Sequence, residues 1–165
     1  GTILMPLMLL IFTDGQFVFG YAKPVPINPM NFKNPRKGMA ISASAGPVTN
    51  LLLAFVSLFL LKLAVLPALS FVPHGVSAKI LEPVGMMLKS SIIINVVLAS
   101  FNLLPIPPLD GGRVVAGLLP VKQAVSFSRI EPFGFLIVII LIATGLANYF
   151  VIPLVNLFLG ILGMF

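Results

Sequence analysis

Long, uninterrupted blocks of apolar residues separated by short polar segments dominate this sequence. The main blocks lie at 1–12, 39–66, 83–104 and 133–165. Solid apolar runs of this length are typical of helices that cross a bilayer, whereas a membrane β-barrel has strands that alternate apolar and polar positions. The pattern therefore predicts an all-α fold, a polytopic transmembrane helical bundle with about four to five spans.

Prolines and polar residues predict where these helices stop. The segment 22–38 holds four prolines among basic residues, so we expect an extended, proline-rich loop there. A second loop is predicted at 67–80, and a turn at Asp110 is followed by a short apolar run that ends at Pro120. A basic linker then leads to 133–165, which is long enough for one tilted span or two short ones broken near Asn148 and Pro153.

Composition and charge support a membrane protein. Hydrophobic residues make up 59% of the chain, charged residues only 8%, and the mean hydropathy is +1.15, whereas soluble domains carry about a quarter charged residues. The net charge of +6 is concentrated in the loops 22–38 and 111–131, which predicts that both face the cytoplasm. Base-stacking aromatic residues are not interleaved with the basic ones, so nucleic acid is not an expected partner. A single membrane-embedded domain, 1–165, in contact with the lipid bilayer is the simplest organisation.

Asp110 is the most informative candidate for chemistry, because it places a carboxylate at the end of an apolar segment. One interpretation is an ordinary polar turn, since Leu-Asp-Gly-Gly after two prolines is typical of a chain reversal. The other is a metal or proton site, because an ionisable group close to the membrane is a functional candidate. Gly111 and Gly112 would let the backbone approach a ligand closely.

Other polar residues leave two interpretations open. Asn50 and Asn102 either hydrogen-bond between helices or bind an extended peptide in a polar cavity. Asp14 is either a turn residue or part of a gate or proton relay. His74, the single histidine, lies in the loop assigned to the opposite side from Asp110 and is a poor candidate for a metal ligand.

Three stretches together resemble the site-2 protease family, the intramembrane zinc metalloproteases of peptidase type M50, in its short prokaryotic form. They are Gly20-Tyr-Ala-Lys-Pro-Val-Pro-Ile-Asn28, Ser44-Ala-Gly-Pro-Val-Thr-Asn50, and Asn102-Leu-Leu-Pro-Ile-Pro-Pro-Leu-Asp-Gly-Gly-Arg113. They occur in the order typical of that family. The third is the most specific of the three, and the resemblance extends over essentially the whole chain.

The resemblance implies an integral, multi-pass protein of the prokaryotic cell membrane that cleaves transmembrane segments of other membrane proteins. In this family two histidines of a His-Glu-x-x-His helix and one aspartate hold zinc, and the glutamate is the general base. Asp110 matches the zinc-binding aspartate. Gly46, Asn50, Asn102 and Gly111 match the surroundings of the site and its substrate. A zinc ion held in this way lowers the pKa of its bound water and polarises the scissile carbonyl.

The sequence departs from that family in one respect, since it contains no His-Glu-x-x-His motif. It also has no cysteine, which excludes thiolate metal ligands. Two expected zinc ligands and the general base are missing, so we expect this chain by itself to be inactive and to be N-terminally truncated. The alternative is a catalytically dead membrane scaffold that binds transmembrane partners. A small transporter would need paired intramembrane charges, for which only Asp14 and Asp110 are candidates.

Overall fold

The computed structural model describes Asn28, residues 31–71, Pro73, Gly75 and residues 77–164. Its helices belong to one compact unit, Phe32–Phe165, and the other unit, Gly1–Asn31, lies almost wholly outside the described residues. The described residues form helices and no strand, which confirms the all-α prediction. The prediction that 1–165 is a single domain stays a prediction.

The first helical segment is longer than the sequence predicts. Helix α1, Pro35–Leu60, continues through a π-helical turn, Leu61–Val65, into α2, Leu66–Phe71. The side chain of Asn34 caps α1 by accepting a hydrogen bond from the Lys37 N–H at 3.3 Å, and Pro35 follows at the first helical position, where its missing N–H is harmless. The prediction that the proline-rich loop extends to residue 38 is therefore wrong at its end.

The second long helix pairs with the first in antiparallel orientation. A π-helical turn, Ser77–Leu81, leads into α3, Glu82–Asn102. Because α2 and this turn are helical, most of the loop predicted at 67–80 is wrong. Proline lies within the first turn of α3, where it is tolerated. Two helical segments, Pro35–Phe71 and Lys79–Asn102, are long and apolar enough to cross a membrane.

Four shorter helices complete the described fold. They are α4, Asp110–Leu118; α5, Val121–Ser128; α6, Glu131–Ala143; and α7, Asn148–Ile161. The prediction of a basic loop at 111–131 is wrong, because α4 and α5 occupy most of it, and α5 makes most of the basic linker before residue 133 helical. The axes of α5 and α6 differ by 63°, and if this bent pair is one span the described residues offer up to three spans. The predicted count of four to five spans stays a prediction.

The last apolar stretch divides into two helices, and whether it spans the membrane once or twice stays a prediction. The break lies at residues 144–147, where Gly145 has a φ of 74°, a left-handed conformation that favours glycine. Asn148 begins α7, in agreement with the predicted break near it. The break predicted near Pro153 is wrong, because this proline lies inside α7.

The core lies between α1 and α3, with α7 packed beside it. Buried apolar side chains from both long helices form it: Ala54, Leu58, Leu61, Val65, Ile92 and Val96. Gly85 of α3 is buried beside the π-helical turn, and a Cβ there would be in ordinary contact with Val65 at 3.5 Å, so this packing does not require glycine. The side chain of Lys62 donates a hydrogen bond to the Gly163 carbonyl oxygen at 3.3 Å, which ties the end of α7 to the π-helical turn.

One polar contact crosses this apolar core. The hydroxyls of Ser57 and Ser91 are hydrogen-bonded at 2.9 Å, and the side-chain amide of Asn95 donates to the Ser91 carbonyl oxygen at 2.8 Å. We expect Ser57→Ala to lower the free energy of unfolding by about 0.6 kcal/mol, the mean value for interhelical hydrogen bonds in membranes. Unfolding in detergent measures it, with exposed Ser90→Ala as the control. Equal stabilities of the two variants would show that the bond contributes nothing.

Candidate functional site

Asp110 is the first residue of a helix rather than the middle of a turn. The chain leaves α3 through residues 103–109, where the Ile106 N–H donates to the Leu104 carbonyl oxygen and the Leu109 N–H donates to the Ile106 carbonyl oxygen. This connection contains the cis peptide bond Pro107–Pro108. Asp110 then begins α4, directly after this connection. The polar-turn interpretation and the metal-site interpretation both stay predictions. A carboxylate in the first turn of a helix interacts favourably with the helix dipole.

The two glycines after Asp110 let α4 pack directly on the chain that precedes it. A Cβ at Gly111 would collide with the carbonyl groups of Leu103 and Leu104, and a Cβ at Gly112 would lie 2.5 Å from the Ile106 carbonyl carbon. Both glycines are buried. These contacts are with backbone, which has little room to move, so the glycines fix where Asp110 lies.

Gly46 on α1 lies beside the Asp110 carboxylate. A Cβ built at Gly46 would lie 2.6 Å from the Asp110 Oδ2 atom, which is closer than Cβ contacts occur in proteins. Pro47, the next residue, is fully buried inside α1, and its ring leaves one carbonyl of the preceding turn without a helical donor. The structure therefore places the carboxylate directly against the backbone of a proline-interrupted part of α1.

Helix α4 runs antiparallel to α1 from this point. Asp110 lies at Gly46, whereas a Cβ at Gly117 would lie 2.5 Å from the Ala40 Cβ and 2.9 Å from the Arg36 carbonyl oxygen. Ten residues separate Gly46 from Arg36, which is about 15 Å along a helix. The carboxylate consequently lies well inside the length of α1 and away from its basic first turn.

The charges around Asp110 act in opposite directions. Asp110 is half-buried and lies outside the two candidate spans, and burial raises the pKa of its carboxyl above the ordinary value, while the nearby Arg113 guanidinium lowers it. Arg113 is also 3.7 Å from the Glu131 carboxylate at the start of α6, with both side chains half exposed. Exposed pairs of this kind contribute about 0–1 kcal/mol, so this contact orients Arg113 more than it stabilises the fold.

The structure brings some of the other predicted residues toward this site. Asn50 follows Gly46 by four residues on α1, so the two lie on the same face of that helix. Asn102 is the last residue of α3, directly before the connection to Asp110, and both asparagines are half-buried. Their roles stay predictions, as does that of Gly111 toward a ligand. Asp14 and His74 lie outside the described residues.

One residue that supports the site was not found from the sequence. Gly134 in α6 is buried, and a Cβ there would collide with the Pro107 carbonyl oxygen. This contact holds α6 against the connection that leads into Asp110. A glycine inside an otherwise apolar helix, as in Glu-Pro-Phe-Gly-Phe, was the available signal, because glycine lowers helix propensity by about 1 kcal/mol relative to alanine.

A zinc site is not complete within the part of the chain that the structure describes. No group of three or more His, Cys, Asp or Glu side chains comes together among these residues. Catalytic zinc usually has three protein ligands and one open position, and Asp110 supplies one carboxylate. The described residues therefore do not fit a zinc ion by themselves. Because Gly46 has no side chain, no side-chain atom from that position contacts the Asp110 carboxylate.

Comparisons with known proteins agree with the motifs. The family model described as "Peptidase family M50" matches residues 69–145, which include Asn102, Asp110 and Gly111. The chain is also 37% identical over 142 residues, 84% of its own length, to the Bacillus subtilis (strain 168) protein named "Putative zinc metalloprotease YwhC". It spans 61% of the length of that relative. No solved structure matches this chain.

The family match contains the third motif with Asp110, and the match to the Bacillus protein covers 84% of the chain. The chain belongs to peptidase family M50, the site-2 protease family. The apolar helices long enough to cross a membrane fit the membrane-embedded character of that family.

Proposed function

We propose that this chain is part of an intramembrane zinc metalloendopeptidase in which Asp110 is one of the zinc ligands. The observation that carries the proposal is the position of the Asp110 carboxylate, which begins α4 and lies against Gly46 inside the length of α1. A carboxylate that is half-buried against apolar helices is stabilised by a cationic or hydrogen-bonding partner, which Arg113 supplies only in part. Membership of the M50 family supports zinc as that partner.

The other zinc ligands and the general base would come from residues outside this sequence. The chain has one histidine, no cysteine and four acidic residues, and it spans 61% of the length of its Bacillus relative. We therefore propose that this chain by itself neither retains zinc nor cleaves peptide bonds, and that the complete protein does both.

The proposed substrates are transmembrane segments of other membrane proteins. A helical segment must unwind locally before hydrolysis, because its amides are protected by their own hydrogen bonds, and polar groups on the spans would support that unwinding. Asn50 and Asn102, half-buried on α1 and α3, are the side chains proposed to hydrogen-bond such an unwound segment. The basic segments 22–38 and 111–131 are proposed to face the cytoplasm of a prokaryotic cell, with the protein in its inner membrane.

Asp110→Asn in the complete protein is expected to abolish zinc retention and proteolysis, because a neutral amide is a poor zinc ligand, and Asp110→Ala is expected to do the same. Metal analysis of the purified protein and cleavage of a transmembrane substrate measure the two effects. Glu82→Gln, which neutralises an exposed acidic residue in the first turn of α3, is the matched control and should retain both.

The outcome of this experiment separates protease from scaffold. Zinc bound at full occupancy in Asp110→Asn would contradict the assignment of Asp110 as a ligand. A complete protein that binds transmembrane partners but holds no zinc, with or without the substitution, would favour the catalytically dead scaffold.

A further inference from the structure

Helix α5, Val121–Ser128, is amphipathic and presents two different exposed faces. Val121 and Val125 are one turn apart, and 61% and 52% of their surfaces are exposed. Lys122 and Arg129 are exposed along the flank of this valine pair, whereas Ala124 and Phe127 are half-buried on the side that faces the protein. An exposed apolar stripe beside basic side chains is typical of a helix that lies in a membrane interface.

The direction of α5 agrees with that position. Helix α6, which follows α5, is almost wholly apolar, and its exposed large side chains include Phe133, Phe135, Ile139 and Ile142. The axes of α5 and α6 differ by 63°. Helices that cross membranes tilt by about 20° on average, so if α6 crosses the membrane with that tilt, α5 would lie nearer the membrane plane than the membrane normal.

Basic residues around the start of α1 and along α5 lie at this end of the molecule. Gly117, close to the end of α4, packs against Arg36 and Ala40 in the first turns of α1, so the start of α5 lies near the basic beginning of α1. The exposed side chains there are those of Lys33, Lys37, Lys122 and Arg129. Glu131, the acidic residue of this region, already faces Arg113 at 3.7 Å. The surface is therefore complementary to negative charge.

We propose that α5 is an interfacial anchor that binds anionic phospholipids, with Val121 and Val125 inserted among the acyl chains and Lys122 and Arg129 on the phosphates. Lysine and arginine side chains reach past apolar surface to place their charges at the headgroups, which fits their position beside the valines. The anchor goes beyond the proposed protease activity and does not depend on it. It would fix α5, and the connected α4, at a constant depth in the bilayer.

The absence of tryptophan from this chain makes a direct test available. Val125→Trp places a single fluorophore on the apolar stripe, and Ser126→Trp places one on the exposed polar face as the matched control. The 165-residue chain with either substitution is reconstituted into phosphatidylcholine vesicles that contain brominated phosphatidylcholine or brominated phosphatidylglycerol. We expect bromine to quench the fluorescence of Val125→Trp strongly and that of Ser126→Trp weakly. Brominated phosphatidylglycerol should quench Val125→Trp more than brominated phosphatidylcholine does.

Removing the charges tests the basic side chains separately. Lys122→Gln and Arg129→Gln in the Val125→Trp background should each lower the preference for phosphatidylglycerol by roughly fivefold, the effect of one basic residue at an anionic surface. Lys89→Gln, exposed on α3 and far from this end, should leave the preference unchanged. Equal quenching by both brominated lipids would overturn the proposal. So would a Val125→Trp fluorophore that neither bromolipid nor aqueous iodide reaches, because a protein segment would then cover this face.

Discussion

Gly46→Ala is expected to reduce zinc affinity and proteolysis by the complete protein roughly 10- to 100-fold, the effect typical of changes beside a metal ligand. The new Cβ would lie 2.6 Å from the Asp110 Oδ2 atom, so the carboxylate has to rotate away from its present position. A side chain can move where backbone cannot, so the fold should survive. The free energy of unfolding should therefore change little, and the loss should fall on the site.

Gly160→Ala is the matched control for this experiment. Gly160 also lies in a helix, α7, but a Cβ there meets nothing within 4 Å. Metal content, cleavage rate and unfolding in detergent are compared for the two variants. If Gly46→Ala retains wild-type zinc binding and cleavage, the Asp110 carboxylate does not need its place against α1, and the proposed site is wrong.

Gly111→Ala is expected to destabilise the protein toward the upper end of the about 1–3 kcal/mol that overpacking costs. The new methyl group would collide with the Leu103 and Leu104 carbonyls, which are backbone atoms of the connection that positions Asp110. Helix propensity alone favours alanine over glycine by about 1 kcal/mol, which is too little to offset this collision.

Alanine is expected to lower the free energy of unfolding at Gly111 but not at Gly160. At Gly160, where no atom opposes the methyl group, propensity alone predicts that alanine leaves the protein unchanged or stabilises it by up to about 1 kcal/mol. Unfolding of both variants in the same detergent measures the difference. A stabilised Gly111→Ala would mean that α4 does not pack on residues 103–104 as described.

Much of the helical architecture could be predicted from sequence because it depends on local properties. The apolar runs at 39–66 and 83–104 correspond closely to α1 with its extension and to α3. The errors concern where helices begin and end, because capping residues and prolines decide those positions. Asn34 and Pro35 start α1 inside a segment that proline content predicted to be a loop, and Pro153 lies inside α7 rather than ending it.

For the candidate site, the residue proposed to carry the chemistry stood out in the sequence, but its surroundings did not. Asp110 stood out because a carboxylate at the edge of an apolar segment is unfavourable without a partner. Its neighbour Gly46 is 64 positions earlier in the sequence, and no local pattern links the two. Gly134 likewise lies in a different element from Pro107, the residue it packs against, and no local pattern links the two.

The sequence by itself determined that this protein is helical and suited to a membrane, that it belongs to the M50 type, and that Asp110 is its candidate metal ligand. Those conclusions follow from runs, composition and short motifs, which need no knowledge of distant contacts. Only the tertiary structure decided that Asp110 starts α4, lies against Gly46, and is held there by glycines packed on backbone. The physical reason is that two distant segments pack closely only where one of them lacks a side chain, as at a glycine. Which segment packs against that glycine is known only from the three-dimensional structure.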